Sequence, residues 1–212
     1  TNNITFKIVM YFIKNERHAG KAPGYDLITG QVIKELPQKG IVMMTQLFNA
    51  VLRLKYFPTQ WKVAEVILIQ KPGKPPNDPT SYRPISLLPI MSKVLEKLLA
   101  KRLMKVITEK NLIPEHQFGF RRKHSTIEQV HRVVDTINKT YEKRGYCAAI
   151  FLDVSQAFDK VWHQGLLYKL KQKLPEAMYN VLKSYLEKRL FRVRYETELT
   201  TLYPIIAGVP QG

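Results

Sequence analysis

Two hydrophobic periods run through this chain, one near 3.6 residues and one near 2, and they separate helix from strand. In "ITFKIVMYFIKN", residues 4–15, the apolar positions fit a short helix, which "GKAPGYD" then breaks with Gly, Pro and Gly. "LITGQVIKELP" predicts a second short helix stopped by Pro37. "IVMMTQLFNAVLRLKYFP" places Met43, Met44, Leu47, Phe48, Val51 and Leu54 at spacings of 3 and 4, and stops at Pro58. "MSKVLEKLLAKRLMKVITEKN" is the clearest helix, with Ser92 as its N-cap and Leu95, Leu98, Leu99, Leu103 and Val106 on one face. "STIEQVHRVVDTINKTYEKRG" opens with a capping box from Ser125 to Glu128 and closes at Gly145.

The strand signals are shorter. "KVAEVILIQ" is rich in β-branched residues, and "LFRVRYETELTTLYPIIAGVPQG" reads as two strands joined by a turn. "KPGKPPNDPTSYRP" is expected to be loop or turn, because its prolines lack amide donors and restrict their predecessors. "YCAAIFLDV", residues 146–154, is small and apolar on both alternating faces, as in a central strand covered on both sides. A short helix is expected from about Gln156 and a longer one near Pro175. With no internal repeat or low-complexity linker, the material reads as one α+β unit.

Composition narrows the function. Of 212 residues, 34 are Lys or Arg and 17 Asp or Glu, a net charge of +17. Such an excess calls for a polyanionic partner, nucleic acid before membrane, because the basic residues are spread along the chain rather than gathered on one amphipathic helix. No apolar run reaches the ~20 residues of a membrane helix. With no signal-peptide pattern at the N-terminus, an intracellular location is expected. The single Cys147 excludes an internal disulfide and a cysteine-based zinc site.

Candidate chemistry centres on two acids, Asp153 at the end of the expected strand and Asp159 six positions on. Ser155 would cap the helix that follows, and six positions on a helix rotate by about 240°, so the two carboxylates do not share a face. Asp159 reads as a first-turn acid at the positive end of a helix dipole. Asp153 reads either as a cap or turn former, or as a carboxylate that needs a cation at its strand end.

At this point the motifs carry a resemblance. "FLDVSQAFDKVWHQGLLYKL" resembles the first catalytic motif of reverse transcriptases, in the form used by LINE-type (non-LTR) retrotransposons and especially jockey-like elements of insects. "SYRPISLLPIMSKVLEKLLAKRL", "HQFGFRRKHSTIEQV" and "AGVPQG" resemble further motifs in the family's order. The resemblance implies an α+β fold, reverse-transcriptase-like fingers and an incomplete palm, with helices packed on a small, mostly antiparallel sheet. Residues 1–145 would form the fingers region with its N-terminal helices and basic template loop, and 146–212 part of the palm.

The implied reaction is RNA-directed DNA synthesis, in which a primer 3′-hydroxyl attacks the α-phosphate of a deoxynucleoside triphosphate and pyrophosphate leaves. The partners would be an RNA template, a DNA primer and deoxynucleoside triphosphates. Two Mg²⁺ ions would assist, since Mg²⁺ prefers carboxylates, phosphates and water. By motif position Asp153 is the catalytic metal ligand, helped by the Val154 carbonyl. Phe158 matches the aromatic under the incoming sugar, where a ring excludes a 2′-hydroxyl; without the motif it reads rather as a core aromatic of an amphipathic helix. The Ala157 and Phe158 amides, at a helix start, suit phosphate oxygens.

Lys71 and Arg83 match the fingers residues that hold the triphosphate, Lys as a point charge and Arg by bidentate contact. Phe118, Arg121 and Arg122, with Phe120 and Lys123 beside them, form the basic-aromatic mixture of a template-binding loop, or else a solvated charge cluster. Lys21 and Lys74 are weaker candidates of the same kind. Gln211 and Gly212 match residues that track nucleotide and template.

The sequence also departs from the family. The aromatic-x-Asp-Asp hairpin is absent, and no Asp-Asp pair occurs anywhere in the chain. Ending at "VPQG", the chain reads as a cut polymerase, and one carboxylate is too few for two metals, so these 212 residues alone are expected to show no polymerase activity. In "KAPGYDLI" the family more often has Pro and Gly where Tyr25 and Leu27 stand. A second reading is a non-catalytic RNA-binding protein, maturase-like or from a domesticated element. It has no use for a metal ligand at 153 or a sugar gate at 158. A third, a basic structural protein, explains the charge but not four ordered motifs. A retrotransposon polymerase would work in the nucleus at its insertion site.

Overall fold

A computed structural model describes residues 3–15 and 22–210. The chain divides into two compact units, one of Thr1–Leu103 with Gln156–Gly212 and a smaller one of Met104–Ser155.

The larger unit is built on the helices that the apolar spacing predicts: α1 (Phe6–Asn15), α2 (Gly30–Lys34), α3 (Gln38–Leu54) and the start of α4 (Ile90–Glu109). Their inward faces meet in one core that includes Val9, Ile13, Phe48, Phe57, Val94 and Leu95. Thr29 caps α2 by accepting the Val32 amide at 3.4 Å. Lys55, in the left-handed region at φ 56°, ends α3. Helices α6 (His163–Lys173) and α7 (Glu176–Leu186) come next in the larger unit, and α7 adds Val181 to the core.

The sheet runs β2–β1–β3–β4, with β5 also on β3. Strand β1 (Val63–Gln70) pairs antiparallel with β2 (Tyr82–Leu87) and parallel with β3 (Leu190–Tyr195). Short β4 (Glu198–Leu199) and β5 (Tyr203–Pro204) both pair antiparallel with β3, so the small, mostly antiparallel sheet is as expected. Glu65 is buried on β1 beside its parallel neighbour Arg192, whose Nη2 donates at 2.9 Å; Arg194 Nε approaches the other carboxylate oxygen at 3.2 Å. A buried carboxylate needs such partners.

Four local expectations are corrected. "YRP", placed in a loop from its proline, lies in β2; Pro84 is tolerated because β2 is an edge strand. Ahead of β2, Asp78 caps a single 3₁₀ turn by accepting the Thr80 amide and hydroxyl at 2.8 and 2.7 Å. Ser92 is not an N-cap: α4 starts two residues earlier, and the buried Ser92 hydroxyl donates to Glu96 Oε1 at 2.8 Å.

Residues 146–154 are irregular rather than a strand, with Ile150, Phe151 and Leu152 each 87–90% exposed. Apolar on both faces, the run needs a neighbouring strand for its amides and carbonyls, and none pairs with it among the described residues. The helix expected from Gln156 is instead a series of turns through Lys160, and α6 begins only at His163. Gln156 takes φ 56°, which reverses the chain where a helix would start.

The smaller unit holds the end of α4, a basic turn region and α5 (Thr126–Glu142). The capping box is present as read: Ser125 Oγ accepts the Glu128 amide at 3.2 Å, and the Glu128 carboxylate accepts the Ser125 amide at 2.8 Å. No residue of α5 is buried.

Candidate functional site

Asp153 belongs to the smaller unit and is exposed, at the end of the irregular apolar run; Val154 beside it is 71% exposed. Its carboxylate is therefore open to solvent and not held against hydrocarbon. Among the described residues no group of three or more His, Cys, Asp or Glu side chains is placed to hold a metal ion.

The basic turns of the smaller unit have internal order. Phe118 is half-buried: the His124 ring meets it edge-on at 4.8 Å between centroids, and the Arg132 guanidinium lies 5.1 Å from its centre. Arg121 Nη1 donates to the Pro114 carbonyl at 3.0 Å, which ties the turn back on itself. Phe118 and Arg121 thus support the loop's own shape, whereas Arg122 is exposed at its surface. Phe120 and Lys123, at φ 57° and 62°, give the segment its tight reversals. A pocket of about 310 Å³ opens here, with Met104 and Ile107 on one side and Arg121, Arg122 and Lys123 on the other.

In the larger unit Lys71 and Arg83 share one end of the β1–β2 hairpin. The Lys71 amide donates to the Ser81 carbonyl, and its Nζ donates to the Thr80 carbonyl, each at 2.7 Å. Arg83 is exposed on the edge strand opposite Ile69. One cation is thus parked on the chain's own backbone, and the other faces water. Lys74 lies in the same turn, exposed, with its carbonyl accepting from Gln70 Nε2 at 2.9 Å.

Ala157 and Phe158 sit in the turns after Gln156, both exposed, Phe158 at 43%. Because this is not a helix start, helix-terminus attraction for phosphate does not apply to their amides. The turn is instead fixed by the "GVPQG" segment: the Val209 amide donates to the Phe158 carbonyl and the Gly208 amide to the Val161 carbonyl, each at 2.9 Å. In a helix those two carbonyls would serve Trp162 and Gly165. Asp159, expected in a helix's first turn, donates its amide to the Gln156 carbonyl at 3.0 Å within the turn.

Gly208 adopts φ +83°, and a Cβ there would lie 2.6 Å from the Asp159 carbonyl oxygen, so only glycine allows this approach. His163 completes the contact, its Nε2 2.6 Å from the Gly208 carbonyl oxygen. A carbonyl only accepts, so Nε2 carries the proton here. Sequence reasoning missed this histidine, whose partner is 45 residues away. Lys21, Gln211 and Gly212 lie outside the described residues.

A family model for reverse transcriptase (RNA-dependent DNA polymerase) matches residues 69–212. The chain belongs to the reverse transcriptase family. Among relatives of this reverse transcriptase chain, the probable RNA-directed DNA polymerase from transposon X-element of Drosophila melanogaster is 51% identical over 91% of the chain. That from transposon BS of the same fly is 48% identical, and the RNA-directed DNA polymerase from mobile element jockey 47%, each over 91%. The matched segment is 21% of each relative, so the chain spans about a fifth of their length. The jockey-like, α+β reading of the motifs is thereby borne out.

Proposed function

We propose that this chain is the fingers and part of the palm of a retrotransposon's RNA-directed DNA polymerase. The observation that carries this is the family match across residues 69–212, which spans the motif residues Lys71, Arg83, Asp153 and Phe158. On this reading Lys71, Arg83 and Phe158 of the larger unit meet the incoming deoxynucleotide, and the smaller unit carries the metal ligand Asp153 and the basic loop that meets the RNA template. A DNA primer is extended, in the nucleus, at the site of insertion.

Each residue's part follows from its chemistry. Arg83, exposed on an edge strand, offers a guanidinium fork to phosphate oxygens. Lys71 leaves the Thr80 carbonyl to meet the triphosphate as a point charge. Phe158 lies under the sugar and blocks a 2′-hydroxyl, and Ala157 keeps the approach to it small. Gln211 and Gly212 follow the base and template, and Arg122 holds the RNA backbone, with Arg121 and Phe118 shaping the loop that presents it.

Magnesium, when bound, would stabilise the attacking and leaving oxygens. Asp153 and the Val154 carbonyl are hard oxygen donors suited to it. They do not by themselves make a two-ion centre, because one carboxylate cannot hold both ions. The 212-residue chain alone is therefore expected to give no primer extension.

The test is Asp153→Ala in the full-length polymerase that carries this segment. Extension on a primed RNA template should be abolished while RNA affinity stays near wild type. Equal loss of binding and extension would make Asp153 structural and sink the assignment. Binding that persists alongside undiminished extension would favour a scaffold whose 153 carboxylate is unused.

A further inference from the structure

The turn bearing Phe158 and the "GVPQG" segment are far apart in sequence and joined face to face by main chain. Val209 and Gly208 donate to the Phe158 and Val161 carbonyls at 2.9 Å, and Gly208 has no side chain to hold the segments apart. Both acceptors lie in the irregular stretch ahead of α6, where Phe158 is exposed and Val161 half-buried and where main-chain bonds open readily. The third tie differs. It comes from a side chain anchored at the first residue of α6 and half-buried, with Nε2 2.6 Å from the Gly208 oxygen.

We propose that His163 is a positioning residue that sets the spacing between the sugar-facing Phe158 and the segment leading to Gln211, through its bond to the Gly208 carbonyl. The inference rests on the polymerase reading above for what that spacing serves, but the bond itself does not. A ring nitrogen committed to a carbonyl is not exchanging a proton with substrate, so the role is geometric. Gly208 has its amide and its carbonyl both engaged, by Val161 and His163, so the peptide planes on its two sides are both pinned. Loss of the imidazole frees one of them and lets the segment rotate about the flexible glycine.

Two measurements test this separately. In the 212-residue chain, His163→Ala should speed hydrogen exchange at the Gly208 and Val209 amides by about tenfold, the weight of one hydrogen bond, with α3 and β1 amides unchanged. His163→Gln, whose side-chain amide can still donate, should restore most of the protection. In the full-length polymerase, His163→Ala should raise the deoxynucleotide KM about tenfold, lower kcat less, and admit more ribonucleotide at unchanged RNA affinity.

Wild-type exchange at Gly208 and Val209 in His163→Ala would overturn the proposal, as would protection lost equally across α3. Faster local exchange with unchanged KM and sugar selectivity would overturn the positioning role. Failure of the wild-type polymerase to extend any primer would instead strike the polymerase reading, leaving the exchange result standing.

Discussion

The two compact units are stabilised in different ways. Every buried hydrophobic side chain among the described residues, from Ile4 to Leu186, lies in the larger unit, and none lies between Met104 and Ser155. The larger unit draws on removal of apolar surface from water, worth ~25 cal/mol per Å². The smaller unit has local devices: the Ser125–Glu128 capping box, the Asp135–Lys139 pair one helical turn apart at 2.6 Å, and the Arg132–Phe118–His124 stack. Most helical stability in proteins comes from packing of an apolar face, and α5 buries none of its residues. The unit with the basic loop is thus the one that opens most easily.

The sharpest way to break this contrast is to empty the core. Phe48 is fully buried on α3, edge-on to Trp61 at 5.9 Å. Phe48→Ala should cost the larger unit about 3–5 kcal/mol, read as a lower urea midpoint by tryptophan fluorescence. Protection of α5 amides should not change. Equal losses in both units would show one cooperative body and erase the comparison.

A smaller effect, because no cavity is made, comes from Glu96. Glu96 is half-buried on α4, and desolvation of its carboxyl raises its pKa above the ordinary glutamate range, against the opposing Ser92 hydroxyl and the Arg189 charge. The folded state then keeps a proton that the unfolded chain releases. Stability is therefore greatest below the unfolded pKa, falls as pH rises through the window up to the folded pKa, and is level beyond it. Glu96→Gln should flatten that slope in the larger unit and leave α5 unmoved; a slope that survives would assign it to another group.

In the smaller unit the matching change is Ser125→Ala, which removes one half of the capping box. It should cost α5 about 1 kcal/mol, visible as faster exchange in the first helical turn. Because so little else holds that helix, the fraction unfolded should rise far more than an equal loss would cause in the larger unit. An α5 that exchanges at wild-type rates would mean that tertiary contacts carry it.

What could be read in the sequence follows the same division. The capping box and the helices α1 to α4 depend on neighbours within a few turns, so spacing and cap residues revealed them. The family was legible because its motifs occur in order along the chain. The strand at 146–154 was misread because a strand exists only with a partner, and local pattern cannot supply one. The turns at 155–160 were misread because the Phe158 and Val161 carbonyls are taken by amides about fifty residues on, at Val209 and Gly208. His163 was invisible for the same reason. Gly208 had a signal, a glycine in a short motif, but only the structure shows the Asp159 backbone that requires it.

The gentlest test is a gain. Leu27 stands where resembling enzymes more often have glycine, and it is held at φ 57° with 71% of its surface exposed. It closes a turn in which its amide donates to the Gly24 carbonyl at 3.0 Å, while Gly24 itself lies so close to Leu88 and Pro89 that a Cβ would strike their backbone at 2.5–2.6 Å. A left-handed conformation costs an L-residue roughly 1–2 kcal/mol, and glycine avoids that at an entropic cost of roughly 0.5–1 kcal/mol. Leu27→Gly should therefore stabilise the larger unit by a few tenths to about 1 kcal/mol, raising its urea midpoint slightly. Little burial is lost, since the side chain is mostly in water, and Tyr25 keeps the loop anchored through its hydroxyl, which donates to the Gln60 carbonyl at 2.8 Å. A lower midpoint would mean that the leucine's remaining contacts outweigh its strain, and that burial governs this unit even at its surface turns.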